Sequence, residues 1–139
     1  MLFRSINVRD VQLWQYSSWG PILVEIVRST EPQRLAIHFW KHLAELAIRG
    51  YLSGTTYNSD VTTSLMDAQE WDKLEFWVGV VWMACPPELG SVAKELEDAM
   101  EGLEKKRPGA LRKRMERWSE RHGQDLPESF QQTCDKLAL

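Results

Sequence analysis

Cysteine is nearly absent from this chain: Cys85 and Cys134 are the only two in 139 residues. One pair gives no disulfide framework, so two reduced thiols in a reducing, intracellular compartment are the simpler reading. Histidine is scarce too, with 3 residues, which leaves little material for a metal centre. Long hydrophobic runs are missing. The longest, Phe76 to Cys85, is about half of a membrane span, and the start Met1-Leu2-Phe3-Arg4 lacks the apolar core of a secretory signal. A membrane partner is therefore not expected. An excess of positive charge is also lacking: 17 basic against 20 acidic side chains give a net charge of −3, which excludes a globally basic nucleic-acid binder. No phosphate loop, dinucleotide fingerprint, nucleophile elbow or Cys-x-x-Cys pair occurs. No cofactor is implied, and enzymatic activity has no motif behind it.

Apolar residues make up 43% of the chain, enough for one globular domain over 1–139 that needs neither disulfide nor metal. Tryptophan is abundant, supplying 7 of the aromatic residues against 3 Tyr and 4 Phe. Trp40, Trp71, Trp77 and Trp82 fall on broad apolar helix faces and read as core. Trp14, Trp19 and Trp118 sit on segments with thin apolar faces and are the candidates for a recognition surface.

The local signals are mostly helical, so the expected fold is all-α. It is a compact bundle of six to seven helices, orthogonal or solenoid-like, around two long central helices at about 31–49 and 67–85. Thr30-Glu31-Pro32-Gln33 resembles a capping box opening the first of these, and Gly50 a stop. Ser64 or Asp67 is expected to cap the second, whose stripe Trp71, Leu74, Val78, Val81, Trp82 has helical spacing, and Pro86-Pro87 ends it. Between them, the polar stretch 51–64 reads as a long loop. Asn7 to Trp19 is a further helical candidate, broken by Gly20-Pro21. For 21–27 and 76–83, short apolar runs leave strand and helix both open, with helix preferred. Pro87 to about Lys106 forms an amphipathic helix, and Arg107-Pro108-Gly109 a turn. A basic helix then runs to His122 and stops at Gly123. A final helix opens at Asp125-Leu126-Pro127-Glu128.

Three constellations carry possible function. The first is a partner surface built on Trp14, Trp19 and Trp118 with Arg114 and Arg117, fitting a protein partner or a second copy. The second is the cation run Lys105, Lys106, Arg107, Arg112, Lys113, Arg117 and Arg121, which could hold nucleic-acid phosphates with Trp118 stacking on a base. Its plainer explanation is pairing with the acidic helix before it, five acids against one lysine over 91–104. The third is His38, His42 and Glu45, spaced i, i+4, i+7 as a metal site requires, which would serve a small-molecule or metal-dependent enzyme. Arg34, Lys41 and Arg49 on the same stripe oppose a cation there. The overall reading is a non-enzymatic helical interaction or self-association domain.

Overall fold

A computed structural model of the chain describes residues 19–52, 57–84 and 90–139. All regular structure among them is helical. In order they form α1 (Trp19–Ser29), a 3-10 turn (Pro32–Arg34), α2 (Ile37–Leu52), α3 (Tyr57–Asp67), α4 (Trp71–Ala84), α5 (Gly90–Lys106), α6 (Ala110–His122) and α7 (Glu128–Leu137). The expected all-α class holds, and both ambiguous runs, 21–27 and 76–83, are helix. The expected helix upstream of Trp19 and the expected start at Pro87 lie outside the described residues, as do Trp14 and Cys85.

Several boundaries differ from expectation, each for a local reason. Gly20-Pro21 does not separate two elements. Pro21 sits in the first turn of α1, where its missing N–H has no partner to lose. The first long helix starts at Ile37, because Pro32–Arg34 closes as a 3-10 turn and Leu35 is extended (φ −122, ψ 147). No side chain caps that turn. Instead the indole N–H of Trp40 donates to the Pro32 carbonyl at 2.9 Å. The helix also runs through Gly50 to Leu52. The second long helix starts at Trp71, because the chain breaks just after Asp67. Gln69 takes a left-handed conformation (φ 56). Gln69 N–H bonds the Met66 carbonyl and Glu70 N–H the Leu65 carbonyl, both at 3.0 Å, which together make a Schellman cap. Gly123 and Ala138 close α6 and α7 the same way. Before α7, Pro127 rather than Asp125 holds the N-cap position, without a side-chain bond.

The largest correction is α3, which occupies much of the expected 51–64 loop. Its buried residues Asn58, Val61, Thr62 and Leu65 follow i, i+3, i+4, i+7, a helical stripe in which two members are polar. Each of the two polar side chains has at least one internal partner. Thr62 Oγ1 donates to the Ser59 carbonyl at 3.1 Å, and Asn58 Oδ1 accepts the Trp77 indole N–H at 3.0 Å.

The helices pack largely on their successors and next-but-one neighbours: α1 on α3, α2 on α3 and α4, α3 on α4 and α5, α4 on α5 and α6, α5 on α6 and α7. α4 is central. Leu74, Trp77, Val78, Val80, Val81 and Trp82 are all fully buried, so this helix is surrounded. Trp40 meets Phe76 edge-on at 5.3 Å between ring centres, and Trp82 meets Phe130 at 5.4 Å. Four of the seven tryptophans (Trp40, Trp71, Trp77, Trp82) thus lie in or against the core.

Candidate interaction surface

The basic segment is positioned by two glycines. Gly109 (φ 74) turns the chain after Pro108, and Gly123 (φ 60) ends the helix. The Gly109 amide also donates to Glu104 Oε2 at 3.1 Å, tying the turn to α5. Leu111 and Met115 anchor α6 to the core. The expected pairing of its cations with the acidic α5 is not what forms. Arg114 Nε donates to Glu75 Oε1 on α4 at 2.9 Å. Arg107 Nη1 lies 3.0 Å from Glu75 Oε2 as an ion-pair contact and also pairs with Asp72. That oxygen accepts no bond of hydrogen-bond geometry. Glu75 is 3% exposed, so the carboxylate is clamped between two guanidiniums. Gly79, one turn further along α4, makes room: a Cβ there would come within 3.0 Å of Arg114 Cδ. The Arg114 guanidinium then lies over the Phe76 ring at 5.6 Å. Arg112 turns to the backbone oxygen of Leu139 rather than to Glu116.

These contacts sort the expected phosphate-binding cations. Arg107 is paired with Glu75 and Asp72, Arg112 is exposed but bonded to the Leu139 backbone oxygen, and Lys106 sits 6.0 Å from the centre of the Trp71 ring. Lys105, Lys113, Arg117 and Arg121 remain exposed, with Arg117 Nε donating only to the Lys113 carbonyl at 3.3 Å. Of the expected partner-binding residues, Arg114 faces α4, while Arg117 is on the outer arc of α6. Trp118 is half-buried at the edge of that arc. Its ring is tilted against His122 at 5.9 Å, and its indole N–H has no hydrogen-bond partner. Trp19 opens α1, and its side chain, like Trp14, is outside the described residues. Lys136 reaches Glu97 at 2.7 Å and holds α7 to α5.

His38 and His42 are exposed on the outer face of α2. His42 Nδ1 is 3.8 Å from Glu45 Oε2. Among the described residues no three His, Cys, Asp or Glu side chains converge as metal ligands. α2 also leaves Ile37 (44%) and Leu46 (39%) exposed, so it is not embedded all round as its apolar width suggests.

A polar cluster that sequence patterning missed joins α3, α4 and α5. Asn58 is 1% exposed; its Nδ2 and Glu95 Oε2 are buried without hydrogen-bond partners. Burial raises the Glu95 pKa above its ordinary value; the nearby Asn58 amide opposes this and the Asp60 charge adds to it. The folded chain therefore holds this proton more tightly than the unfolded chain. The associated stability is complete below the ordinary carboxylate range and is lost as pH rises through the raised value. Glu95→Gln is expected to raise Tm at pH 7.5, with the gain shrinking toward about pH 4. Thermal melts of both proteins across that range check it; an equal shift at every pH would contradict it. Burial likewise pushes the Cys134 thiol up, which keeps it protonated and unreactive at neutral pH.

Two further clefts are open and polar. One, of ≈ 650 Å³, lies where the starts of the 3-10 turn and α4 meet the end of α5, with Trp71, Lys73 and Arg107 on its walls. Lys73 is already paired there, with Glu70 at 3.2 Å. The other, of ≈ 230 Å³, lies between α6 and α7 and is lined by Arg112 and Cys134. No described helix is long and apolar enough to cross a membrane. No protein-family model, curated protein sequence or solved structure matches the chain.

Proposed function

We propose that this chain is a non-enzymatic helical interaction domain that uses the outer arc of α6 to bind another protein. The observation that carries the reading is the division of labour along that helix. Arg114 is held on Glu75 and Arg112, though exposed, bonds the Leu139 backbone oxygen, whereas Lys113, Arg117 and Arg121 stand exposed, without an acidic partner among the described residues, beside the half-buried Trp118. Tryptophan and arginine are the side chains that most often anchor protein interfaces. Sparse cysteine supports a reducing, intracellular setting for such a contact.

A photo-reactive side chain at position 122, at the exposed end of α6, tests this in extract of the source organism. A discrete protein adduct, competed away by excess unmodified chain, is the expected result. Light scattering on the purified chain separates a second copy from a different partner. A strict monomer that yields no protein adduct would overturn the reading.

Nucleic-acid binding is the second reading, favoured by the same three exposed cations. It predicts salt-sensitive binding of duplex or single-stranded DNA that is lost in Arg112→Glu with Arg117→Glu. The pairing of Arg107 with Glu75 and Asp72 weakens it.

A further inference from the structure

The exposed arc of α6 carries two charge rails rather than one. Lys113, Arg117 and Arg121 recur every fourth residue, so they stand about 6 Å apart along the axis and about 12 Å from first to last. Glu116 and Glu120 recur in the same way. At 100° per residue the acidic rail lies about 80° around the helix from the basic one. All five residues are exposed. Lys113 with Glu116, and Arg117 with Glu120, are three residues apart and placed to pair across the rails. Neither pair closes: the ion pairs among the described residues involve none of the five. Both signs are left facing outward.

That pattern discriminates between occupants. A nucleic acid presents one sign of charge along its backbone, so phosphates brought to the basic rail would meet repulsion from Glu116 and Glu120. A helix offers a matching repeat with both signs at once. Resting on the interaction-domain reading, we propose that α6 docks a partner helix carrying its own paired rails. Carboxylates spaced i, i+4, i+8 would lie along Lys113, Arg117 and Arg121, and cations spaced i, i+4 along Glu116 and Glu120. Trp118 forms an apolar shoulder beside the basic rail. Exposed ion pairs are individually weak, so specificity comes from register across five positions rather than from any one contact.

The probes are two synthetic 18-residue helical peptides of identical composition, one with these rails and one with the charges scrambled, and a 20-base-pair DNA duplex. Binding to the full chain is measured by fluorescence anisotropy at low and moderate salt. The railed peptide is expected to bind at least tenfold more tightly than the scrambled one, and more tightly than the duplex. Exchanging the rails with Glu116→Arg and Arg117→Glu, which preserves net charge, should abolish that tenfold preference; circular dichroism confirms that the variant is folded. Equal binding of the two peptides, no binding of either, tighter binding of the duplex, or indifference to the exchange would each overturn the proposal. If the cross-linking partner is captured regardless of the exchange, the interaction-domain reading survives and the rail proposal alone fails.

Discussion

Arg114→Met is expected to lower folding stability by about 2–3 kcal/mol, read as a drop in the urea midpoint at pH 7. The reason lies in Glu75, not in the arginine. Glu75 is buried on the most enclosed helix of the fold, and its Oε1 receives its hydrogen bond from Arg114. Without that donor, the carboxylate keeps only the Arg107 contact at 3.0 Å, which does not have hydrogen-bond geometry. A buried charge stripped of one partner is costly, and the surviving arginine keeps the loss below that of a wholly uncompensated ion. The same logic predicts rescue. Glu75→Leu combined with Arg114→Met replaces both charges with apolar volume and should recover most of the loss, since such exchanges are often close to neutral. A double variant as unstable as the single one would mean that the cost arises from packing over Phe76 and Gly79 instead.

Trp77→Phe should destabilise the fold by about 2–4 kcal/mol, and Trp82→Phe by about 1–2 kcal/mol. Both rings are fully buried on α4, and both substitutions remove a similar volume. Their hydrogen bonding differs. The Trp77 indole donates to Asn58 Oδ1 at 3.0 Å. Loss of that donor strands an amide that is already without a partner on its nitrogen. The Trp82 N–H has no partner, so its removal takes away an unsatisfied buried donor along with the ring volume. Paired denaturant titrations measure the gap between the variants; equal losses would show that the Asn58 bond contributes nothing net.

The Asn58 bond also marks where sequence patterning reached its limit. Helix ends fixed by backbone chemistry were legible: Gly109 and Gly123 frame α6 because each supplies a left-handed residue at low cost, and the turn at 107–109 falls where expected. Helix α3 was not legible as a helix, because its buried face includes Asn58 and Thr62. An apolar period cannot register positions whose burial depends on a partner in another helix. The end of α3 was equally hidden, since a left-handed Gln69 has no composition signature. Charge shows the same division. The clustering of cations over 105–121 was plain, but their partners were assigned to the neighbouring α5. The carboxylates that engage Arg107 and Arg114 are Glu75 and Asp72 on α4, more than thirty residues upstream. Proximity in sequence favoured the wrong helix because only the tertiary arrangement lays α6 across α4. For the proposed interaction surface, sequence offered Arg114, Arg117 and Trp118 together but could not separate inward from outward arginines; Arg114 belongs to the first group.

The nearest-neighbour arrangement of the helices bears on how the molecule comes apart. Because each helix rests mainly on the next two, cooperativity is passed along the array in short steps, as in repeat proteins whose unfolding is close to one-dimensional. The Glu75 clamp and the tryptophans of α4 sit at the middle of that chain of dependencies. Amide hydrogen exchange should therefore be slowest in α4 and quicken outward toward α7, which depends chiefly on α5. Partial opening then begins at α7, whereas α6 rests on α4 and α5 and is tied to α4 by the Arg114–Glu75 pair. The helix that presents the charge rails therefore opens together with the centre of the array, so a partner bound there rests on the part that loosens last.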